Sequence, residues 1–347
     1  MEARFYRKLE ADQVQCLLCP HRCLIAPGGR GKCRVRSNRG GTLLADSYGR
    51  PVTAALDPIE KKPLFHFHPG ATILSTGPNG CNLSCAFCQN WQISQTDLPT
   101  QRVTAAELAA LASRDGSIGI AYTYTEPLVW FEFLLDACAL AHDRGLVNVL
   151  VTNGTINPEP LAELLPLVDA MNIDLKSMDA AFYRDVCGGD RDTVLRTIEA
   201  AHAACRVEVT NLVIPGANDA DRDIDRLAGW LAGVDPLIPL HLSRYYPQYR
   251  MAAPATPEPT LLRLRQRALE KLTYVYVGNC DIPGGEDTNC PQCGGLLVAR
   301  RGYAVRIAGI EQGRCSNCGR AADIIGLEQQ RGGRGCRSNG RAPASSC

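Results

Sequence analysis

Apolar and polar positions follow two different periods between residues 70 and 280. Short, β-rich apolar runs are separated by longer segments in which apolar residues recur at helical spacing. The short runs predict strands at 72–76, 118–122, 147–152, 169–174, 206–214, 238–242 and 273–277. The longer segments predict helices at 104–114, 127–143, 158–166, 191–204, 221–233 and 258–270.

This alternation predicts the fold class. Strands that alternate with helices require right-handed crossovers and a mostly parallel sheet. Six or seven such units predict an α/β protein with a partial or nearly closed (β/α) barrel. Thr104 with Glu107 three residues later predicts a capping box, and Pro127 predicts the start of a helix. In such barrels the chemistry gathers at the carboxyl ends of the strands.

Smaller regions flank the predicted barrel. Residues 1–69 are predicted to be a Cys-rich, metal-binding N-terminal region, and residues 70–280 the barrel. Residues 281–327 are predicted to be a zinc-ribbon-like domain. Residues 328–347 have no hydrophobic periodicity and are predicted to be a disordered basic tail.

Composition narrows the class of protein. The 347 residues include 45% hydrophobic ones, enough for a large core, and their net charge of +1 predicts no nucleic-acid partner. The charges scattered through the first residues do not resemble a secretory signal. Because the sequence contains no uninterrupted apolar run of about 18 residues, no membrane partner is predicted. Most of the 17 cysteines have metal-ligand spacings, which favours the reducing cytoplasm.

Three cysteines follow the first predicted strand. Cys81, Cys85 and Cys88 form a C-x3-C-x2-C triplet, with Phe87 beside the last of them. Three thiolates can hold a 4Fe–4S cluster and leave its fourth iron open to the amino and carboxylate groups of S-adenosylmethionine. An electron passed to the sulfonium then yields a 5′-deoxyadenosyl radical. The alternatives are a zinc site completed by a remote ligand, or three buried thiols.

Polar residues at the next strand ends are candidates for cofactor binding. Glu126 opens a helix after the second strand, where its carboxylate can pair with the ammonium group of S-adenosylmethionine. The alternative is an acid that complements a helix N-terminus. Asn153 precedes Gly154, which permits close approach of a ligand, although an ordinary turn also fits.

The later strands offer further polar side chains. Asp174 and Lys176 end the fourth strand on one side of it, as cofactor ligands or as an ion pair. His241 is a further candidate for cofactor binding, with a structural histidine as the alternative. No catalytic residue is assigned. The remaining candidates for a substrate cavity are Glu208, Thr210, Asn211, Ser243 and Arg244.

Two outer groups of cysteines complete the candidate metal sites. The first group is predicted to bind zinc, with an auxiliary iron–sulfur cluster as the alternative, and His21 could replace one of its thiols. Its members are Cys16, Cys19, Cys23 and Cys33. The second group forms two C-x2-C knuckles typical of a zinc ribbon, at Cys290, Cys293, Cys315 and Cys318. Cys187 precedes two glycines and could line a loop near the site.

Taken together, these motifs resemble one branch of the radical S-adenosylmethionine proteins. The branch is the AmmeMemoRadiSam system radical enzymes, which are similar to the pyruvate formate-lyase activating enzyme. The resemblance rests on the cysteine groups and on the segments 57–70, 89–90, 124–127 and 276–279. The chain departs from the activating enzymes where Tyr124-Thr125-Glu126 replaces Gly-Gly-Glu and where Val151 replaces Asp.

The resemblance implies a function. Cys81, Cys85 and Cys88 would bind the 4Fe–4S cluster, and Asp174 and Lys176 match an Asp-x-Lys motif that helps to hold S-adenosylmethionine. It implies hydrogen abstraction from an unidentified substrate, with abstraction from a protein glycine as one form of the reaction. A flavodoxin- or ferredoxin-like reductant and a Memo-like partner are implied as well. The rival functions are a zinc-stabilised protein- or RNA-binding module without radical chemistry, and a simple electron carrier.

Overall fold

The N-terminal part of the chain is a small β-rich module. A computed structural model describes residues 1–114 and 116–327, so the predicted tail at 328–347 lies outside the described residues. Residues 1–50, here called the N-terminal module, contain an antiparallel sheet of β1, β2 and β3 and a hairpin of β4 and β5. These strands are β1 Tyr6–Lys8, β2 Val14–Cys16, β3 Leu24–Ile25, β4 Arg36–Arg39 and β5 Thr42–Ala45.

A central sheet of eight strands follows. Its strands are β6 Pro51–Pro58, β7 Thr72–Pro78, β8 Ser117–Tyr122, β9 Val147–Thr152, β10 Ala170–Asp174, β11 Arg206–Val213, β12 Leu240–Arg244 and β13 Val275–Gly278. They lie in the order of the chain, with β6 at one end of the sheet and β13 at the other. All neighbours are parallel except β6 and β7, which are antiparallel.

Helices connect the parallel strands. They are α1 Trp91–Gln95, α2 Ala105–Arg114, α3 Phe131–His142, α4 Pro158–Leu164, α5 Ala180–Phe182, α6 Arg191–His202, α7 Asp221–Val234 and α8 Glu258–Ala268. Three 3₁₀ turns at Ile59–Lys61, Pro127–Trp130 and Leu165–Leu167 and a π-turn at Tyr183–Cys187 complete the set. None of the helices in the described part of the chain is long and apolar enough to cross a membrane.

The predicted α/β barrel is confirmed. Each of the seven predicted strands overlaps one of β7–β13, and each predicted helix overlaps a helix of the structure. The capping box forms, because Glu107 donates its backbone N–H to Thr104 Oγ1 at 3.1 Å while its carboxylate accepts from Thr104 N at 2.8 Å. The sheet is an open, partial barrel, since β6 and β13 are its two ends.

The hydrophobic pattern does not predict strand β6 of the sheet. β6 lies at an edge, four of its eight residues are exposed in a row, and a proline stands at each end. It therefore carries neither the alternation nor the buried run that marks a strand. Because β6 pairs with β7 from Pro51 to Pro58, the central sheet begins before the predicted boundary at residue 70.

The C-terminal part forms a small β unit against the sheet. It consists of β14 Thr288–Asn289, β15 Leu296–Arg301, β16 Ala304–Ile307, β17 Ile310–Glu311 and β18 Arg314–Cys315. The buried Arg300 joins it to the segment before β7, because Nη2 donates to the carbonyl of Phe65 at 2.6 Å and the guanidinium lies over the Phe65 ring. The C-terminal unit thus packs against the segment that precedes β7.

A buried ion pair fastens the N-terminal module to helix α3. Arg36 and Glu132 are only 1% and 5% exposed, and the Arg36 guanidinium donates to the Glu132 carboxylate. The same carboxylate accepts from the backbone N–H of Arg4 at 2.7 Å. Removing one member of such a pair leaves the other charge buried without compensation.

We therefore predict that Arg36→Met lowers the free energy of unfolding by about 3–5 kcal/mol. The matched control is Arg184→Met, which breaks the exposed pair with Asp185 and should change stability by less than about 1 kcal/mol. Denaturant unfolding of both variants measures the difference. Equal losses in the two variants would contradict a special role for the buried pair.

Candidate functional site

The three cysteines of the triplet lie on a loop at the carboxyl end of β7. The loop, residues 80–88, has no helix or strand and is here called the cysteine loop. Gly80 opens it with φ of 85°, a conformation that favours glycine. A side chain at this position would also place its Cβ 2.4 Å from the carbonyl oxygen of Cys33 in the N-terminal module. The loop therefore starts in direct contact with that module.

Neighbouring segments hold the cysteine loop in place. Ser84 and Ala86 donate their backbone N–H groups to the carbonyls of Cys187 and Val186, at 2.8 Å and 3.0 Å. The Asn82 side chain donates to the carbonyl of Thr155 at 2.7 Å. These bonds replace the regular pairing that the loop lacks.

The triplet lines a cavity at the mouth of the barrel. This cysteine cavity has a volume of about 220 Å³, and Cys81, Cys85 and Cys88 all form part of its wall. The rest of its wall includes residues at the ends of several parallel strands, among them Asn153, Asp174 and Lys176. Three thiols in one wall with an ammonium, a carboxylate and an amide fit a cluster with an amino-acid ligand, since such a ligand carries charges of both signs.

Asp174 and Lys176 lie together on this wall, as their two-residue spacing predicts. Lys176 Nζ is 3.1 Å from Asp174 Oδ2 and 5.8 Å from the centre of the Phe87 ring. Although burial lowers it, the charges of Asp174 and of Cys85 raise the pKa of Lys176 well above its usual value. The ammonium therefore stays charged beside the thiols.

Asn153 joins the strand ends to the cysteine loop. Its Nδ2 donates to Asn82 Oδ1 at 2.9 Å and lies 3.4 Å from the sulfur of Cys81. The amide is thus in contact with the first cysteine of the triplet.

Cys187 is a fourth thiol of this region. It is fully buried, and its S–H hydrogen bond to Cys85 is the main cause that lowers the pKa of Cys85 and raises that of Cys187. In the sequence, only its position before Gly188 and Gly189 indicates that Cys187 lies near the site. The close approach of Gly188 to Ser84 makes the contact possible, because a Cβ there would lie 2.7 Å from Ser84 Oγ.

Glu126 departs from its predicted orientation. The carboxylate is fully buried and does not line the cysteine cavity. It accepts from Leu128 N at 3.0 Å, Thr152 Oγ1 at 2.6 Å and Asn153 N at 2.8 Å. The alternative of an acid at a helix N-terminus describes it better, since Glu126 caps the turn that begins at Pro127. Burial raises its pKa to about 7 against the effect of these bonds.

Tyr124 explains one departure from the activating-enzyme pattern. Its φ is 76°, so the chain keeps a backbone conformation that favours glycine although a tyrosine stands there. The Tyr124 hydroxyl donates to Asp57 Oδ2 at 2.6 Å, and Lys62 binds the same oxygen at 2.8 Å. The ring lines the cysteine cavity, so residues 57–62 support its wall.

A second cavity adjoins the first. It has a volume of about 600 Å³ and shares Gln89, Thr210 and Ser243 with the cysteine cavity. Its walls come from the segment before β7, the ends of β11–β13 and the C-terminal unit. Charged and aromatic side chains are mixed there, among them Glu60, Lys61, Phe65, Glu286, Arg301 and Tyr303.

His241 lines this second cavity rather than the cysteine cavity. This corrects its predicted place beside the cofactor. Its Nε2 donates to the buried carboxylate of Glu208 at 2.7 Å. Glu208 also accepts from the backbone N–H groups of Phe65 and His66, at 3.0 Å and 2.7 Å. Although burial raises it, the hydrogen bond and charge of His241 lower the pKa of Glu208 to about 2.

The remaining predicted cavity residues differ in place. Thr210 and Ser243 line both cavities, as stated above. Asn211 instead donates to the carbonyl of Leu175 at 2.7 Å, and Arg244 pairs with Glu258 at 3.2 Å. Neither of these two side chains lines the cysteine cavity or the second cavity.

The cysteine-bearing part of the N-terminal module contacts the cysteine loop, through the backbone of Cys33 at Gly80 and through the His21 ring. Burial, together with negative charge on Cys16 and Cys23, raises the pKa of Cys19 to about 12 and that of Cys33 to about 11. His21 Nε2 lies 2.6 Å from the carbonyl oxygen of Asn82, so this nitrogen contacts the cysteine loop.

The C-terminal thiols form a compact group. The sulfurs of Cys290, Cys293, Cys315 and Cys318 all lie within 4.8 Å of one another. Two of the separations are 3.6 Å, from Cys290 to Cys318 and from Cys293 to Cys315. A tetrahedral ion with sulfur ligands at about 2.3 Å sets them about 3.8 Å apart, so the group fits one metal ion.

Comparison with known proteins agrees with this geometry. The profile of the Radical SAM superfamily matches residues 76–228, which include the whole triplet. Over 337 residues the chain is 44% identical to the uncharacterized protein MJ0808 of Methanocaldococcus jannaschii, covering 93% of this chain and 99% of that protein. The chain belongs to the radical SAM superfamily.

More distant relatives are named as activating enzymes. The 4-hydroxyphenylacetate decarboxylase activating enzyme of Clostridium scatologenes is 28% identical over 149 residues, 41% of this chain and 47% of that enzyme. The pyruvate formate-lyase-activating enzyme of Clostridium pasteurianum is 25% identical over 180 residues, 48% of this chain and 72% of that enzyme. The chain thus spans about half to three quarters of these relatives.

Among solved structures, a domain of the pyruvate-formate lyase-activating enzyme from Bacteroides vulgatus aligns with a TM-score of 0.41 and 24% identity. The alignment covers 46% of this chain and 99% of that domain.

Membership of the superfamily decides between the classes of function. The chain is an enzyme of the radical SAM type, and the superfamily implies a 4Fe–4S cluster and S-adenosylmethionine as cofactors. The alternative of a binding module without radical chemistry is thereby set aside.

We predict that Glu126→Ala lowers the free energy of unfolding by about 2–4 kcal/mol, because three buried donors lose their acceptor. The control is Glu159→Ala, since Glu159 is exposed in the first turn of α4. Denaturant unfolding without cofactor separates this structural role from a direct cofactor contact. An unchanged stability, together with weakened binding of S-adenosylmethionine, would restore the contact that the sequence predicts.

Proposed function

We propose that Cys81, Cys85 and Cys88 bind the 4Fe–4S cluster of this enzyme. The observation that carries the proposal is that the three thiols line one cavity together with Asp174 and Lys176. When bound, the cluster supplies the electron that cleaves S-adenosylmethionine to a 5′-deoxyadenosyl radical. The ammonium of Lys176 would bind the carboxylate of the cofactor, and the carboxylate of Asp174 would bind one of its hydrogen-bond donors. Asn153 would orient the cofactor through its amide.

The substrate would bind in the second cavity. This cavity adjoins the cysteine cavity through Gln89, Thr210 and Ser243, so a substrate there lies beside the cofactor. The enzyme would abstract a hydrogen atom from it. Abstraction from a glycine of a protein substrate is the form of the reaction to test first, because several relatives are named as activating enzymes. A flavodoxin- or ferredoxin-like protein would act as reductant, and a Memo-like protein as a system partner.

The outer cysteine groups would bind their own metals. We assign zinc to Cys290, Cys293, Cys315 and Cys318 from their sulfur separations, and zinc or an auxiliary iron–sulfur cluster to Cys16, Cys19, Cys23 and Cys33. The C-terminal metal would stabilise the unit that supplies Arg301 and Tyr303 to the second cavity.

We predict that the anaerobically reconstituted enzyme forms 5′-deoxyadenosine from S-adenosylmethionine when dithionite is added. The triple variant Cys81→Ala, Cys85→Ala, Cys88→Ala should form none above background and should lose the iron and sulfide of one cluster. The control is Cys205→Ala, whose thiol lies on neither cavity wall. Product is measured by chromatography, and a fully loaded wild-type enzyme that forms none would refute the proposal.

We also predict that Cys290→Ser with Cys318→Ser removes about one equivalent of zinc and leaves the iron content unchanged. The physical reason is that a tetrahedral thiolate site does not survive the loss of two ligands. Elemental analysis of the purified variant measures both metals. Loss of iron instead of zinc would assign the group to a cluster.

A further inference from the structure

A groove on the N-terminal side of the molecule gathers positive charge. Its volume is about 320 Å³, and we call it the arginine groove because Arg30, Arg34, Arg39 and Arg50 line it. Two acids, Asp46 and Asp97, also lie in its wall. The groove thus carries an excess of two positive charges, on a chain whose total net charge is only +1.

The arginines of the groove contribute little to the stability of the fold. Arg30 and Arg34 share Asp97, at 3.1 Å and 3.3 Å, and Arg39 lies 3.6 Å from Asp46. The three arginine side chains are 41–72% exposed, and such exposed pairs stabilise a protein by less than about 1 kcal/mol. Among the described residues Arg50 has no acidic partner within ion-pair distance. Most of the guanidinium donors therefore remain free to bind carboxylates of another molecule.

The groove lies directly behind the cysteine loop. Val35 and Asn79 form part of its wall, and only Gly80 separates Asn79 from Cys81. A Cβ at Gly80 would lie 2.9 Å from a methyl group of Val35, so no side chain intervenes. The groove shares no residue with either cavity.

We propose that the arginine groove is the docking surface for the reductant, a small electron-transfer protein with acidic residues around its redox group. This inference rests on the proposed function, which requires one electron for each cleavage of S-adenosylmethionine. The reduced partner would lose that electron and dissociate in its oxidised form. Passed to the cluster that Cys81, Cys85 and Cys88 would hold, the electron would break one carbon–sulfur bond of the sulfonium, leaving methionine and the 5′-deoxyadenosyl radical. No proton moves in this step.

Opposite charges accelerate the encounter of two proteins, and salt screens the effect. Reversing charges in the groove should therefore slow docking without changing the chemistry that follows it. A small inorganic reductant needs no docking surface. A defect in docking at the groove should therefore appear only with a protein donor, whereas a defect in the cysteine cavity should appear with both kinds of donor.

The test compares the wild-type enzyme with a double variant that carries both Arg34→Glu and Arg50→Glu. We expect the Kd of oxidised flavodoxin for the enzyme, measured by calorimetry without S-adenosylmethionine, to rise about tenfold or more. With reduced flavodoxin as donor, the KM for flavodoxin should rise by a similar factor. With dithionite as donor, we expect an unchanged rate of 5′-deoxyadenosine formation. The control variant is Arg222→Glu on α7, which reverses an exposed charge that lines neither the groove nor a cavity. It should match the wild type with both donors.

Neutral substitutions and salt extend the test. Arg34→Gln with Arg50→Gln should have an intermediate effect, which keeps the proposal testable if the glutamate variant fails to fold. The wild-type rate with flavodoxin should fall as salt rises, and the rate of the charge-reversed variant should fall much less.

Three outcomes would overturn the proposal. The first is an unchanged KM for flavodoxin in the charge-reversed variant. The second is an equal loss with flavodoxin and with dithionite, which would assign the arginines to folding or cluster assembly. The third is loss of affinity for a short RNA with no effect on flavodoxin, which would make the groove a nucleic-acid surface. If the wild-type enzyme forms no product even with dithionite, the proposed function fails rather than the docking surface.

Discussion

The cysteine loop has no regular secondary structure, so segments that are distant in the sequence must fix its shape. The backbone of the π-turn, through Cys187 and Val186, accepts two of its N–H groups. The N-terminal module touches it at Gly80 and, through His21, at Asn82. Each of these contacts restricts where three thiols can point. The N-terminal module and the barrel are thus joined at this loop.

Buried carboxylates also hold the strand ends in place. Glu126 ties the end of β9 to the turn before α3, and Glu208 ties β11 to the segment that precedes β7. Each accepts backbone N–H groups that would otherwise be unsatisfied in the interior. The wall of the cysteine cavity and the wall of the second cavity thus each depend on an acid that the ligands themselves need not touch.

The regular elements were predictable because parallel strands buried on both faces read as apolar runs between helical segments. The pairing of Asp174 with Lys176 was predictable for a similar reason, since two-residue spacing places side chains on one side of a strand. The orientation of Glu126 was not, because periodicity does not tell whether a carboxylate at a strand end faces a ligand or its own backbone. The edge strand β6 and the contact of Cys187 with Cys85 depend on tertiary pairing, which leaves no local pattern.

The contact between Gly80 and Cys33 also bears on the order in which the chain assembles. The strands β1–β5 of residues 1–50 pair over short sequence separations, and such local structure forms quickly. They also leave the ribosome before the cysteine loop does, and early parts of a chain can fold first during synthesis. The loop can therefore settle against a surface that already exists. A shortened version that begins at β7 would lack this template, and grafting the barrel alone onto another protein would not transfer its metal-binding loop intact.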